Sequence, residues 1–139
     1  MILFLRCQQL HEGEGALLDD EGHLLFYEQM NATPETFFSL VCTKFFSQLS
    51  SLHDLHGIVA IIGPGSFTML RLVSILIQSL EFHLRIPVYG KENSTQASLC
   101  TLMQKEIFSQ ANIFKQTQSE NLPLYGSCPH ITIQKKALL

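Results

Sequence analysis

The sequence has few charged residues and no dense patch of positive charge. Only 15% of its 139 residues are charged, and twelve acids against nine bases leave a net charge of -3. Lysine and arginine form no long block. This argues against a protein that binds nucleic acid mainly through its own surface, because such surfaces cluster basic residues on one face. With 46% hydrophobic residues, the chain is expected to fold as one packed globular domain.

Neither an export signal nor a cysteine framework is expected from the sequence. The apolar run at residues 2–5 is short and has no leading charge, unlike a signal peptide. Four cysteines are scattered without a CxxC pair, which predicts buried or free thiols rather than disulfides or a zinc site. Cys7, Cys42 and Cys100 have apolar neighbours and are expected in the core. With no transmembrane segment expected, the sequence predicts a soluble cytoplasmic domain.

Apolar residues change their spacing several times along the chain, in an α/β order. Thr33-Pro34 has the pattern of a helix start, and Asn93 or Ser94 can cap a further helix. A mixed sheet flanked by helices is therefore predicted, as a single lobe. The strands are predicted at residues 2–5, 16–18, 23–27, 58–62 and 85–90, and the longest helix at about 67–83.

This long helix is apolar over most of its surface. A helix that lies on one sheet needs an apolar stripe only about 100° wide, so a second face must also be buried. Two interpretations stay open: a helix enclosed within its own domain, or one whose second face packs on another subunit. The polar stripe comprises Arg71, Ser74, Gln78, Glu81 and Arg85. The candidate interface residues are Met69, Arg71, Leu72, Val73, Leu76 and Leu80.

Titratable residues form no dense cluster that would indicate catalysis. His53 and His56 have metal-ligand spacing but no HExxH motif, so an exposed loop pair is expected. Residues 11–14 are polar and glycine-bearing, which predicts a loop. Ser66 lacks the GxSxG context of a nucleophile and is expected to cap the long helix. The sequence therefore favours a non-enzymatic role without metal or cofactor.

The turn before the long helix has two possible roles. Backbone amides and the helix dipole converge there and could hold an anion. However, the GxxxxGK[ST] pattern is absent and no lysine lies nearby, so a tight turn that needs glycine is favoured. The turn and the start of the helix consist of Gly63, Pro64, Gly65, Ser66, Phe67 and Thr68.

These six residues resemble a motif of the bacterial TsaB family. With Leu70-Arg71 they are similar to its GPGSFTGLR segment, and residues 85–90 (RIPVYG) are similar to its GIPLVG segment. Residues 16–20 also resemble that family's second strand and turn. The resemblance covers about residues 1–98.

The resemblance implies an actin/Hsp70/sugar-kinase (ASKHA) or RNase H-like fold and no catalysis by this chain. Family members bind a TsaD-like enzyme, which transfers a threonylcarbamoyl group to the adenosine next to the tRNA anticodon, and a TsaE-like ATPase joins the same machinery. A homodimer is expected when the chain is alone. Two alternatives stay open: a small nucleotide-dependent transferase or glycoprotease-type peptidase, and a relic homodimer with no role in tRNA modification.

Three departures from the family pattern affect these expectations. Arg6 stands where the family has an acidic residue, which argues against an independent nucleotide-hydrolysing site. Met69 replaces a glycine, and residues 99–139 stand where family members carry a second lobe. The sequence therefore predicts a TsaB-like lobe at 1–98 and a short helix and tail at 99–139.

Overall fold

The structure, a computed structural model, describes residues 1–105, without the side chains of Ile62, Gln104 and Lys105. Most of the predicted 99–139 segment, including Cys128, lies outside the described residues. The strands are β1 Ile2–Gln9, β2 Glu12–Leu18, β3 Leu24–Met30, β4 Gly57–Gly63 and β5 Val88–Glu92. The α-helices are α1 Phe37–Lys44, α2 Phe67–Leu84 and α3 Leu99–Lys105.

The five strands form one mixed sheet in the order β3-β2-β1-β4-β5. The first three strands are antiparallel neighbours, whereas β4 runs parallel to both β1 and β5. The parallel strands alternate with helices because a parallel pair needs a long crossover connection. The predicted α/β class, a mixed sheet flanked by helices, is confirmed.

One face of the sheet carries α1 and α2. Alternate residues of β1 (Leu3, Leu5 and Cys7) point into this layer and are fully buried. The ring of Phe45 lies directly over Gly15 of β2, where a β-carbon would overlap the ring. Although α2 is long and apolar enough to cross a membrane by length and composition alone, seven of its residues are buried. It serves here as the core helix of the domain.

The opposite face changes from apolar to polar along β1. Ile2 and Phe4 pack in a second apolar cluster that includes Leu99 of α3. The next two residues on this face, Arg6 and Gln8, are also buried, with 5% and 1% of their surface exposed. The sheet therefore brings buried polar side chains to the carboxyl end of its central strand.

Several predicted boundaries are wrong for local reasons. Helix α1 begins at Phe37 because residues 34–36 form a turn in which the Thr33 carbonyl accepts the amides of Thr36 and Phe37. Helix α3 begins at Leu99, and neither Asn93 nor Ser94 caps it. Instead, the hydroxyl of Ser98 accepts the amide of Thr101 at 3.2 Å.

Two further predictions are also wrong. The expected loop at 11–14 belongs largely to β2, which starts at Glu12 after a two-residue turn. Of the three cysteines expected in the core, only Cys7 is buried, whereas Cys42 and Cys100 are exposed. Cys42 and Cys100 lie on helices, where apolar neighbours in sequence point in other directions.

Candidate functional site

The turn between β4 and α2 lies against the end of β1. The carbonyl of Gln8 accepts the amide of Ser66, and it occupies the space that a β-carbon on Gly65 would need. The Gln8 side chain donates from Nε2 to the Pro64 carbonyl at 2.7 Å. Since the Ser66 amide is already bonded within the chain, the structure favours a tight turn over an open anion cradle. Ser66 occupies the N-cap position, but its side chain makes no capping hydrogen bond, so that prediction is wrong.

Asn93, the first residue after β5, holds the same turn from the other side. Its backbone amide donates to the Gly63 carbonyl at 2.9 Å. Its Nδ2 donates to Gln8 Oε1 at 2.7 Å, and Gln8 Nε2 donates to the Asn93 carbonyl at 2.9 Å. The two amide side chains, both buried, join β1, the turn and the end of β5.

A buried ion pair lies next to these amides. Arg6 Nη1 donates to Glu14 Oε2 at 2.7 Å across the β1–β2 hairpin, and only 6% and 3% of the two side chains are exposed. Arg6 also donates from Nε to Gln8 Oε1 at 3.1 Å and from Nη2 to the Gln96 carbonyl at 2.9 Å. A buried pair persists only when such additional hydrogen bonds offset the loss of hydration.

Glu14 has two more donors on neighbouring elements. The Tyr27 hydroxyl donates to Oε1 at 2.7 Å and the Leu99 amide donates to Oε2 at 3.1 Å. Burial, with the Glu14 carboxylate beside it, raises the pKa of Tyr27. The sequence prediction missed Glu14 because it assigned the residue to a loop. Glu14 is opposite in charge to Arg6 and lies close to it in sequence. A cross-strand pair on a tight hairpin could have been predicted from these two features.

This network fills the place where open α/β sheets usually bind ligands. Such ligands lie in a crevice at the carboxyl ends of the parallel strands, and here Arg6, Gln8 and Asn93 occupy that end of the sheet. In residues 1–105, every described buried side-chain nitrogen and oxygen has a hydrogen-bond partner. The polar groups of this site therefore bind one another and join β1, the turn and β5 as a closed structural junction.

The structure places most of the predicted interface residues of α2 in the chain's own core. Met69, Val73, Leu76 and Leu80 are at most 8% exposed and pack in the cluster beneath α1 and α2. Leu72 is half-buried and Arg71 is exposed. The role of these residues in an interface stays a prediction. The four buried side chains leave little surface that a partner could contact.

Other apolar residues of α2 do reach the surface. Ile75 is 46% exposed and Phe82 is 89% exposed, and their spacing of seven residues places them on one line along the helix. Ser74 is buried, so the predicted polar stripe is wrong at that position. Sequence periodicity could not separate the two faces because the apolar positions of α2 lie on every side of the helix.

Two further groups of titratable residues in the described part of the chain lie away from this junction. His53 and His56 are exposed, as expected, and His56 Nδ1 lies 3.1 Å from Asp20 Oδ1. Asp19, Glu21 and His23 lie close enough together to hold a metal ion. Their arrangement is explained by the β2–β3 turn, where Asp19 Oδ1 accepts the amides of Glu21 and His23 at 2.9 and 2.8 Å.

No family model and no curated protein matches this sequence, but solved structures do. One is YeaZ from Pseudomonas aeruginosa, with 26% identity and a TM-score of 0.55, covering 66% of this chain and 43% of that one. Another, described as an uncharacterized protein with similarity to peptidase YEAZ from Pseudomonas aeruginosa, has 26% identity, a TM-score of 0.54 and the same coverage. This chain thus spans less than half the length of either. Because YeaZ is a TsaB protein, the likeness supports a TsaB-like fold of the RNase H-like/ASKHA type.

Proposed function

We propose that this chain is a non-catalytic, TsaB-like subunit that binds a TsaD-like enzyme in the biosynthesis of threonylcarbamoyladenosine in tRNA. The observation that carries the proposal is the likeness to YeaZ, together with the GPGSFT turn at residues 63–68. A TsaE-like ATPase is the further partner that this role implies.

The closed junction at the end of β1 supports a non-catalytic role. Arg6 stands where the family has an acid, and the neighbouring carboxylate of Glu14 is engaged by Arg6, Tyr27 and the Leu99 amide. A general acid or base must reach the proton that it transfers, and Glu14 is only 3% exposed. An arginine also cannot coordinate the divalent cation that phosphoryl chemistry requires, because that ion takes oxygen ligands.

The exposed side of α2 is the contact surface that fits this role best. Ile75 and Phe82 are the exposed apolar residues on one line of the helix, and Leu72 and Arg71 lie beside them. An aromatic side chain exposed to 89% is a candidate anchor, because buried aromatic residues dominate the energetics of protein interfaces. We therefore assign the contact to Arg71, Leu72, Ile75 and Phe82.

Co-purification with a TsaD-like protein tests this function. The two chains are coexpressed, and their mass is measured by size-exclusion chromatography with light scattering. We expect a heteromeric complex that Ile75→Glu and Phe82→Asp each weaken at least about 30-fold, since a hot-spot residue contributes about 2 kcal/mol or more. Leu25→Glu is the matched control because Leu25 is 53% exposed on β3, away from α2.

Three results would count against the proposal. Robust ATP hydrolysis or peptide cleavage by the pure chain, abolished by one substitution, would support the enzyme alternative. A homodimer that never exchanges for the TsaD-like protein would support the relic alternative. Unchanged binding in both Ile75→Glu and Phe82→Asp would place the contact away from α2.

A further inference from the structure

The residues that follow Asn93 are joined to the first hairpin through side chains rather than through a backbone ladder. Residues 93–98 have no regular secondary structure and lead into α3. Three polar contacts with the first hairpin are described in residues 94–105: Arg6 Nη2 with the Gln96 carbonyl at 2.9 Å, Gln9 Nε2 with Gln96 Oε1 at 2.8 Å, and the Leu99 amide with Glu14 Oε2 at 3.1 Å. Asn93 itself is fixed by Gln8 and Gly63, so we call the residues that follow it, 94–105, the latch segment.

Bonds to the fixed Asn93 and bonds within the latch segment keep its shape. Asn93 Nδ2 donates to the Ala97 carbonyl at 2.8 Å, and the Ala97 amide donates to Asn93 Oδ1 at 3.2 Å. The hydroxyls of Ser98 and Thr101 lie 3.0 Å apart at the start of α3. A segment with its own local bonds and few external ones is a typical cooperative unit of partial unfolding.

The apolar contacts of the latch segment are concentrated on few residues. Leu99 is 1% exposed and packs in the cluster with Phe4, Ala16 and Leu18. Leu102 and Met103 pack against the same cluster but are only partly buried. Much of the attachment therefore depends on the polar contacts around one buried ion pair.

We propose that the latch segment opens from the sheet as a single unit, and that the buried Arg6–Glu14 pair holds it closed. Arg6 binds the Gln96 carbonyl while Glu14 binds the Leu99 amide, so the pair fixes both ends of residues 96–99. Opening breaks both of these hydrogen bonds, which involve charged groups and are stronger than those between neutral groups. It also uncovers the apolar face formed by Phe4, Ala16 and Leu18. The inference does not depend on the proposed function.

Native-state hydrogen exchange on the full chain tests the proposal. In the wild-type protein, the amides of residues 99–103 should exchange through an opening that needs less denaturant than the opening of β1 and β4. Exchange of the latch segment together with β1 and β4, only by global unfolding, would overturn the proposal.

The double variant Arg6→Met/Glu14→Leu tests the role of the ion pair. Replacing both partners of a buried pair by apolar residues is often neutral for global stability, yet here it removes the contacts to Gln96 and Leu99. We expect roughly 10- to 100-fold faster exchange at residues 99–103, since hydrogen bonds to charged groups contribute that much, and little change in β4. The matched control is Glu28→Gln, which breaks the partly exposed Lys44–Glu28 pair at 3.0 Å and should leave the latch segment unchanged. If residues 99–103 of the double variant exchange as slowly as those of the wild-type protein, the proposal is overturned. If the double variant does not fold, the denaturant dependence of exchange in the wild-type protein decides.

Discussion

The backbone of Gln8 fills the space beside Gly65 that any other residue would need for its side chain. A β-carbon at Gly65 would overlap the Gln8 carbonyl oxygen and lie 2.9 Å from its Cα. Both neighbours are backbone atoms of the central strand and cannot rotate away. The glycine of the turn is therefore required by close packing onto β1.

We expect Gly65→Ala to destabilise the domain by about 1–3 kcal/mol, the usual cost of overpacking a rigid site. Gly57→Ala is the matched control, because a β-carbon there would meet nothing nearer than 3.6 Å. It should be neutral or stabilise by up to about 1 kcal/mol through loss of chain entropy in the unfolded state. Urea unfolding curves measure both. Equal midpoints for the two variants would show that the turn can move away from β1.

The two faces of α2 should respond differently to a charge. Val73 is 2% exposed and Ile75 is 46% exposed, although the two residues are nearly adjacent and both β-branched. Val73→Glu buries an unpaired carboxylate at a cost of several kcal/mol, comparable with a total stability of about 5–15 kcal/mol, and should unfold the chain. Ile75→Glu should change stability by no more than about 0.5 kcal/mol. Circular dichroism and melting temperatures distinguish them, and an unfolded Ile75→Glu protein would mean that α2 has no free face.

The stability of the β2–β3 turn should depend on pH through the protonation of His23. Its imidazole lies 2.9 Å from Asp19 Oδ2, and this contact raises the pKa of His23. Hydrogen bonds from the His23 amide, and then from its ring, are the main causes that lower the pKa of Asp19. A raised histidine pKa stabilises the folded state below the unfolded value of about 6.5 and loses that effect as pH rises through the folded pKa.

We expect NMR titration to show a pKa of His23 above about 6.5 that falls in Asp19→Asn. Asparagine keeps the oxygen that accepts the turn amides, so the turn itself should persist. Glu12→Gln, an exposed carboxylate elsewhere on β2, is the control and should leave His23 unchanged. An unaltered titration in Asp19→Asn would show that the Asp19 charge does not act on the imidazole.

The cysteines should differ sharply in reactivity. Burial raises the pKa of Cys7 to about 12, whereas Cys42 and Cys100 are exposed. Since the thiolate is the reacting species, iodoacetamide at pH 8 should label Cys42 and Cys100 but spare Cys7 until denaturant is added. Mass spectrometry of proteolytic peptides reads the three sites separately. Labelling of native Cys7 as fast as Cys100 would contradict its burial beneath α1 and α2.

The sequence predicted the α/β order because apolar spacing reports which side of an element is buried. Residues 58–62 are continuously apolar, and they form the core of β4, a central strand covered on both faces. The start of α1 was misplaced because Thr33-Pro34 satisfies the local rules for a helix start, yet here it opens a turn. Local capping rules do not state which of several nearby residues will be used.

The polar junction could not be predicted from spacing alone. Arg6 and Glu14 are neighbours across a hairpin, but Leu99 and Asn93 reach them only after β4, α2 and β5 have been placed. The closed site depends on these long-range contacts. The TsaB-like motif at 63–68 does not predict them. The same limit explains Ser74, whose burial depends on where α2 lies on the sheet.

The central position of β1 has a consequence for how the chain folds during synthesis. Its antiparallel partner β2 follows after a two-residue turn, so that hairpin can form early from local contacts. Its other edge pairs Ile2 with Gly57, a partner that leaves the ribosome much later. Until then the nascent hairpin presents the unpaired edge of a strongly apolar strand, which is the kind of edge that associates with other chains. Between synthesis of β1 and β4, this edge is therefore open to aggregation and to capture by chaperones.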